Sequence, residues 1–177
     1  NLKTLIPERV SLRVLSRVSH KRKALLLSTC AQSVVRPSID TAAIKIFDRL
    51  GITLIPVAGA GCCGALALHC GYEDKAIVQA KANIDAWWPY IELGAESIIA
   101  TSSGCGLQLK GYARLLKEFP DYSAKSKHLA GLIKDPIELI DVQKLSAVIK
   151  DSDRCSVAFQ SPCSLQHGLK INRQVEA

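Results

Sequence analysis

The sequence predicts an α/β fold with an open, mainly parallel sheet and flanking helices. Short apolar runs of strand length alternate along the chain with longer segments in which apolar residues recur at helical spacing. Glycine directly follows several of these longer segments, as it commonly does at the end of a helix. Strands that alternate with helices are typical of layered domains with a parallel sheet.

The predicted strands are short and apolar. Residues 23–28 form the first strand, whose unbroken apolar run at 24–27 is typical of a strand buried on both faces. Residues 52–57 form the second strand, which we expect to be short or irregular near Pro56, because proline lacks an N–H group for the ladder. The third strand is predicted at residues 97–101 and the fourth at residues 156–159.

Helical spacing of apolar residues predicts the connecting helices. Residues 40–50 form one helix, which Gly51 ends. Residues 73–93 form a longer helix, which we expect Pro89 to break or kink. The remaining helices are predicted at residues 107–119, 122–134 and 136–142.

Composition indicates one full domain. The chain has 177 residues, of which 48% are apolar, and this is enough for a sizeable core. No apolar run reaches about 18 residues, which argues against a membrane-spanning helix, and no signal peptide is visible. The net charge of +7 is densest at residues 17–23. We interpret this run as a solvated linker rather than a docking site for an acidic partner, and it lacks the aromatic residues of a nucleic-acid reader.

The most informative motif is Cys62-Cys63-Gly64. Two adjacent cysteines cannot form a relaxed disulfide with each other, but they can direct two thiolates at one metal centre. Cys30 lies upstream with 31 residues between it and Cys62, and Cys105 lies downstream with 41 residues between it and Cys63. All four cysteines follow predicted strands, and ligands gather at the carboxyl ends of the strands of an open parallel sheet. The sequence therefore predicts one shared site at that edge.

The cysteine content favours a metal centre over disulfides. Seven cysteines in a chain without a secretion signal indicate free thiols in a reducing compartment such as the cytoplasm. Zinc sites usually have paired Cys-x-x-Cys knuckles, which this chain lacks, so we favour an iron–sulfur cluster and keep zinc as the alternative. Glycines would let the backbone approach the centre closely; they stand at positions 59, 61, 64, 104 and 106.

The residues around these cysteines resemble the cysteine-rich CCG domain family. The resemblance runs from about Lys21 to Val175. It rests on STCAQ at 28–32, AGCCGA at 60–65, NIDAWWP at 83–89, ATSSGCG at 100–106 and SPCSLQH at 161–167. Within the family the chain is most similar to the iron–sulfur subunits of glycolate oxidase (glycolate dehydrogenase). Related proteins include a subunit of heterodisulfide reductase and the iron–sulfur subunits of lactate utilisation and glycerol-3-phosphate oxidation.

The resemblance implies an iron–sulfur cluster, either [4Fe-4S] or noncubane, bound by Cys30, Cys62, Cys63 and Cys105. It also implies an electron-transfer subunit that passes electrons from separate FAD-containing glycolate oxidase subunits to a quinone or another acceptor. Such a complex would be cytoplasmic, with peripheral association at the inner membrane. No catalytic residue is assigned here, because the flavin would lie on another chain and no GxGxxG motif follows a strand in this one.

One position departs from the family pattern. The related heterodisulfide reductase chain has a Cys-x-x-Cys as its last element, and here Ser102 stands at the first of those cysteines. A hydroxyl is a poor ligand for an iron–sulfur centre, so a plain [4Fe-4S] cluster with four thiolates, or a zinc ion, becomes plausible. Two other functions therefore stay open. One is a thiol–disulfide redox enzyme like heterodisulfide reductase, and the other is a zinc-stabilised interaction domain.

The end of the chain resembles the opening of a second unit. We expect residues 1–22 to be a linker from a preceding region, residues 23–150 to be the first CCG domain and residues 151–177 to begin a second, incomplete one. Cys163 would be the first ligand of that incomplete second site, and His167 could line it. The chain contains no methionine, so we interpret it as a piece of a longer protein. The two other cysteines, Cys70 and Cys155, match no ligand position.

Overall fold

Four parallel strands form one open sheet in the computed structural model, which describes residues 19–148, 156 and 158–176. The strands are β1 (Arg22–Leu26), β2 (Ile52–Pro56), β3 (Ile98–Ile99) and β4 (Ile133–Lys134). The helices are α1 (Gln32–Val35), α2 (Ser38–Arg49), α3 (Ala65–His69), α4 (Glu73–Glu92), α5 (Ser103–Lys110), α6 (Tyr112–Leu115), α7 (Pro120–Leu132) and α8 (Val142–Val148). A 3₁₀ turn spans Pro136–Glu138 and a π-helical turn spans Ser164–Gly168.

The strand order is β2-β1-β3-β4, and every neighbouring pair is parallel. β1 pairs with β2 along its whole length, from Arg22 opposite Ile52 to Leu26 opposite Pro56. The prediction of an α/β fold with an open parallel sheet is confirmed. Because the chain moves to one side of β1 for β2 and to the other side for β3, the crevice between β1 and β3 is the topological switch point of this sheet.

The central strand has buried side chains on both faces, as its unbroken apolar sequence predicts. Ala24 and Leu26 pack into the cluster that lies under α2. Leu25 and Leu27 pack into the opposite cluster, which includes Trp87 of α4. All five side chains are fully buried, and this explains why the first strand carries no polar residue between Ala24 and Leu27.

Glycine follows the ends of two helices, as the sequence predicts. Gly51 follows α2 with φ of +78°, and Gly94 follows α4 with φ of +90°, a conformation that other residues rarely adopt. Pro89 does not break α4, which continues through it to Glu92, and a kink at this position stays a prediction. Pro89 lies in the last turn of α4, where little of the helix remains to be disrupted. Although α4 is the longest helix, no helix in the described part of the chain is long and apolar enough to cross a membrane.

The fourth strand is not where the sequence predicted it. β4 lies at Ile133–Lys134, inside the segment 122–134 that we expected to be entirely helical. Ile133 is buried in the core opposite Ile98, and its extended backbone ends α7 at Leu132. Pro136 then disfavours helical conformation in the preceding residue. Of the predicted strand at 156–159, the three described residues are not in a strand, and residue 157 lies outside the described part.

Two further helices differ in extent from the prediction. The segment 107–119 contains α6 and the end of α5, which already begins at Ser103. Cys105 therefore lies in the first turn of α5 rather than in a loop. The predicted helix at 136–142 is the 3₁₀ turn, which a reciprocal capping box between Asp135 and Glu138 fixes at its start. The predicted linker lies outside the described residues up to position 18, as does Cys155.

Candidate metal centre

Three neighbouring strands bring the four candidate cysteines to one edge of the sheet. Cys30 follows β1, Cys62 and Cys63 follow β2, and Cys105 lies at the start of α5 after β3. Because β2, β1 and β3 are adjacent in the sheet, their three following segments meet at the carboxyl edge. This is the edge on which the sequence placed them.

The four thiols meet in two pairs. The Cys30 thiol interacts with that of Cys62, and the Cys63 thiol interacts with that of Cys105. The pairs are also near each other, since the charges of Cys30 and Cys62 act on Cys105. All four thiols are free; Cys63 is buried, Cys62 and Cys105 are partly buried and Cys30 is exposed. Within the described residues, no three His, Cys, Asp or Glu side chains are arranged to hold a metal ion directly.

The thiols of the Cys63–Cys105 pair differ in pKa. The hydrogen bond with Cys105 is the main cause that raises the pKa of the Cys63 thiol, and burial raises it further. The same hydrogen bond lowers the pKa of the Cys105 thiol, and the hydroxyl of Ser102 lowers it further. Cys105 is therefore the first of the two to become a thiolate, which is the form that binds metal. Its position in the first turn of α5 acts in the same direction, because a helix N-terminus favours negative charge.

Backbone N–H groups point at two of the sulfurs. Ala31 donates to the Cys30 sulfur, and Ala65 donates to the Cys63 sulfur. Both interactions favour a thiolate, although burial raises the pKa of the Cys30 thiol overall. Hydrogen bonds of this kind tune the reduction potential of sulfur-bound metal centres.

A buried pair of polar side chains fixes the Cys-Cys-Gly loop. Asn83 of α4 accepts a hydrogen bond from the Gly61 N–H at 2.7 Å and donates to the Cys62 carbonyl at 3.0 Å. Its amide also donates to the Tyr112 hydroxyl at 2.9 Å, and that hydroxyl donates to the Cys63 carbonyl at 2.9 Å. The carbonyls of both adjacent cysteines are thus held from inside the core.

Neither Asn83 nor Tyr112 was among the predicted site residues. Asn83 is 1% exposed and Tyr112 is fully buried. The signal in the sequence was a polar residue at a core-facing position of α4, since Asn83 shares that buried face with Ala80, Ile84 and Trp87. Buried polar groups are normally hydrogen-bonded, so such a residue indicates a partner in the core. The sequence does not show that the partner is the cysteine loop.

Gly64 is required by the geometry of the loop. Its φ of +85° lies in the left-handed region, and it immediately precedes α3. A side chain there would place its Cβ 3.3 Å from the carbonyl oxygen of Ala76 and 3.4 Å from its Cα. The glycine of the motif therefore lets the loop turn into α3 while resting directly on the backbone of α4.

Two further cysteines, Cys70 and Cys163, lie outside this group of thiols. Cys70 follows α3 and is exposed, on the wall of an open groove of about 260 Å³ that also reaches Cys62. Cys163 is exposed, and the described residues 158–162 before it are not in a strand. Its neighbour Ser164 packs on α5, with its hydroxyl 2.8 Å from that of Ser103. His69 and His167 are outside the thiol group: His69 is exposed at the end of α3, and His167 lies in the π-helical turn.

The chain is similar to a known domain family and to several known proteins. Residues 24–110 match the CCG family, described as "Cysteine-rich domain". The chain is 42% identical to the "Glycolate oxidase iron-sulfur subunit" of Escherichia coli (strain K12) over 89% of its own length and 38% of that protein. It is 26% identical to "Lactate utilization protein A" of Bacillus pumilus over 84% of its length and 60% of that protein.

A further relative has the same kind of name. The "Probable glycolate oxidase iron-sulfur subunit" of Bacillus subtilis is 25% identical over 83% of this chain and 33% of that protein. The chain thus spans between a third and three fifths of the length of these relatives. The family match runs from the middle of β1 to the end of α5, which includes all four clustered cysteines. Residues 24–110 of this chain therefore form a domain of the CCG cysteine-rich family.

Proposed function

We propose that this chain is part of the iron–sulfur subunit of a flavin-dependent oxidase or dehydrogenase of 2-hydroxy acids. Two of the similar proteins carry names of glycolate oxidase iron–sulfur subunits, and a third is named for lactate utilisation. Glycolate is the substrate that we favour, because the E. coli protein has 42% identity to this chain. The substrate itself would be oxidised on a separate FAD-containing subunit.

The observation that carries this proposal is the meeting of four free thiols from three separate segments at one sheet edge. We propose Cys30, Cys62, Cys63 and Cys105 as the ligands of one cluster. Thiolate is the ligand that iron–sulfur clusters prefer, and N–H donors to sulfur suit them well. Thr29, next to Cys30, adds a buried hydroxyl without a partner in the described structure, which is available to such a group.

The arrangement of the thiols in two pairs supports a centre with several metal atoms over a single zinc ion. Tetrahedral zinc with Zn–S bonds of about 2.3 Å holds its sulfurs about 3.8 Å apart from one another. The described residues contain no such group of three, but they contain two separate thiol pairs. A cluster of several irons separates its thiolates more widely. We therefore propose a [4Fe-4S] cluster with four thiolates, with a noncubane cluster or zinc as the outcomes that would change the assignment.

An iron–sulfur cluster accepts and releases single electrons with little change in geometry. The chain supports this by holding one side of the site rigidly and leaving the other accessible. Cys63 is buried behind the Asn83–Tyr112 network, whereas Cys30 is exposed and Cys62 lines an open groove. We infer that electrons enter and leave on the exposed side, from the FAD-containing subunit and toward a quinone or another acceptor. The complex is proposed to work in the cytoplasm or at the inner face of the membrane.

Cys163 is proposed to be the first ligand of a second site. Its segment, which would begin the second unit at residues 151–177, rests on α5, the helix that carries Cys105. Leu165 and Ile171, in the described part of this segment, are buried. The other ligands of the second site would come from chain beyond residue 177. A longer protein should therefore contain one more cluster than the 177-residue chain.

Metal analysis after anaerobic purification tests the proposed centre. We expect iron and acid-labile sulfide in equal amounts, about four of each per 177-residue chain, with an electron paramagnetic resonance signal after reduction. Zinc without acid-labile sulfide in the purified protein would refute the cluster and support a zinc-stabilised interaction domain instead. Two clusters on the 177-residue chain, or no gain from extending it, would refute the two-unit division.

A second experiment tests the role in the complex. Glycolate should reduce the cluster of the full-length protein only when the flavin subunit is present, which the resonance signal reports. Lactate serves as the competing substrate. Rapid oxidation of the reduced protein by a disulfide, with no flavin subunit present, would instead support a thiol–disulfide redox enzyme.

A further inference from the structure

A buried carboxylate lies between two of the cysteine segments. Asp40, in the first turn of α2, is 1% exposed. None of the salt bridges among the described residues includes it. One of its oxygens, Oδ2, has no hydrogen-bond partner in the described structure. Burying a carboxylate without a cation is costly, so its presence in this position calls for an explanation.

The partners of Asp40 connect it to the metal centre. Gln32 Nε2 donates to Asp40 Oδ1 at 2.8 Å, and Thr101 Oγ1 donates to the same oxygen at 2.7 Å. Gln32 Nε2 also donates to Thr101 Oγ1 at 2.6 Å, which closes a triangle. Gln32 follows Cys30 by two residues, and Thr101 precedes Cys105 by four. The carboxylate is thus joined to both segments beside the β1–β3 crevice.

This arrangement places the Asp40 carboxylate beside the segments that carry the cysteines, where it is not itself a metal ligand. Both donors act on Oδ1, and charge-assisted hydrogen bonds of this kind stabilise an ionised carboxylate. The charge is shielded from water, because the side chain is buried, so it acts more strongly on its surroundings than a surface carboxylate does. An asparagine would satisfy the same two donors, and would avoid the buried charge. The charge itself is therefore the feature that needs a role.

We propose that the charge of Asp40 lowers the reduction potential of the cluster that the four cysteines hold. A fixed negative charge opposes the addition of an electron to a nearby centre, and local charge is one of the factors that set the potential of iron–sulfur clusters. The inference rests on the proposed iron–sulfur function. It identifies Asp40 as a positioning and tuning residue rather than a ligand.

The test is a redox titration of the full-length protein under anaerobic conditions, followed by electron paramagnetic resonance. Asp40→Asn keeps the shape of the side chain and the acceptor at Oδ1, but it removes the charge. We expect its midpoint potential to be higher than that of the wild type. Asp85→Asn is the matched control, because it removes one exposed carboxylate from α4, and we expect it to leave the midpoint unchanged.

Thr101→Val separates charge from geometry. It removes one donor to Asp40 and leaves the carboxylate less compensated, so we expect the midpoint to fall. A rise of equal size in Thr101→Val and Asp40→Asn would mean that the network acts through loop geometry, and it would overturn the inference. The midpoint is measured on loaded molecules alone, so partial loss of the cluster does not distort it. If Asp40→Asn binds no cluster at all, the midpoint potential of Thr101→Val tests the inference instead. A Thr101→Val midpoint that is unchanged or raised relative to the wild type then overturns the inference.

The outcomes also distinguish this inference from the proposed function. A loaded wild-type protein with an unshifted Asp40→Asn midpoint contradicts the role of Asp40 alone. A wild-type protein that binds no iron and no sulfide contradicts the proposed cluster, and the role of Asp40 fails with it. Iron content of each variant is measured in the same samples.

Discussion

Replacing Tyr112 with phenylalanine should destabilise the cysteine loop while leaving the core packing intact. The aromatic ring fits the same buried space, so no large cavity forms. The lost hydroxyl leaves the Cys63 carbonyl without its 2.9 Å donor and one Asn83 N–H without its acceptor. Burial raises the pKa of the Tyr112 phenol, so the wild-type hydroxyl stays protonated and keeps donating.

The size of the effect follows from those two partners. A buried polar group that loses its hydrogen bond costs about 1–3 kcal/mol. The Asn83 amide keeps one N–H on the Cys62 carbonyl, so two buried groups lose a hydrogen bond: the Cys63 carbonyl and the other Asn83 N–H. We therefore expect Tyr112→Phe to lower the free energy of unfolding by about 2–4 kcal/mol. The cluster should also be lost faster from the loaded protein, because the Cys63 backbone is no longer held.

Urea unfolding of the metal-free chain measures this loss, and Tyr122→Phe is the matched control. The Tyr122 hydroxyl donates at 2.9 Å to Asp85 on the surface, where water can replace it. We expect that control to change stability by less than about 0.5 kcal/mol. Iron release to a chelator is followed in both variants of the loaded protein. Equal stability of Tyr112→Phe and Tyr122→Phe would refute the argument that the buried network holds the loop.

Three further perturbations test the site. Cys63→Ser should abolish iron binding and lower the melting temperature of the anaerobically purified protein, because metal binding and folding are coupled. Cys70→Ser should keep the iron content and the melting temperature of the wild type. Equal loss of iron in the two variants would show that the ligands are misassigned. Gly64→Ala should lower the free energy of unfolding in urea by about 1–3 kcal/mol, because Gly64 has a positive φ and its Cβ would meet the Ala76 backbone. The loss should be larger than for Gly71→Ala, since Gly71 has a φ of +81° but no atom within 4 Å of its Cβ position. Above a pH of about 10, a tyrosine in the unfolded chain loses its proton, whereas burial keeps folded Tyr112 protonated. The free energy of unfolding should therefore fall by about 1.4 kcal/mol per pH unit in this range. Tyr112→Phe should lack this contribution to the slope.

The part of the site that could be predicted from the sequence depends on local patterns. Cys30 and the Cys62-Cys63 pair follow strands with clear apolar runs, so the order of elements was enough to bring them to one edge. The network beneath them was not predictable, because Asn83 and Tyr112 reach the loop across 21 and 49 residues of sequence. Only packing in three dimensions determines which distant polar groups meet.

The error in the sheet has a similar cause. Ile133 belongs to a two-residue strand that continues directly from a helix, so no separate apolar run marks it. Its pairing with Ile98 and its burial determine its conformation, and both depend on tertiary contacts. The apolar residues 156–159 have the composition of a strand, but the sheet already has its fourth strand at Ile133–Lys134.

Ser102 has a role beside Cys105 that does not require it to bind metal. Ser102 occupies the N-cap position of α5, yet its side chain does not cap the helix. Its hydroxyl instead interacts with the Cys105 sulfur and lowers the pKa of that thiol. A thiol at this position would be a fifth candidate ligand, whereas the hydroxyl supports the fourth. A centre with four thiolates also carries one negative charge less than one with five. Ser102 therefore stabilises the neighbouring thiolate, in keeping with the four-cysteine cluster proposed for this chain.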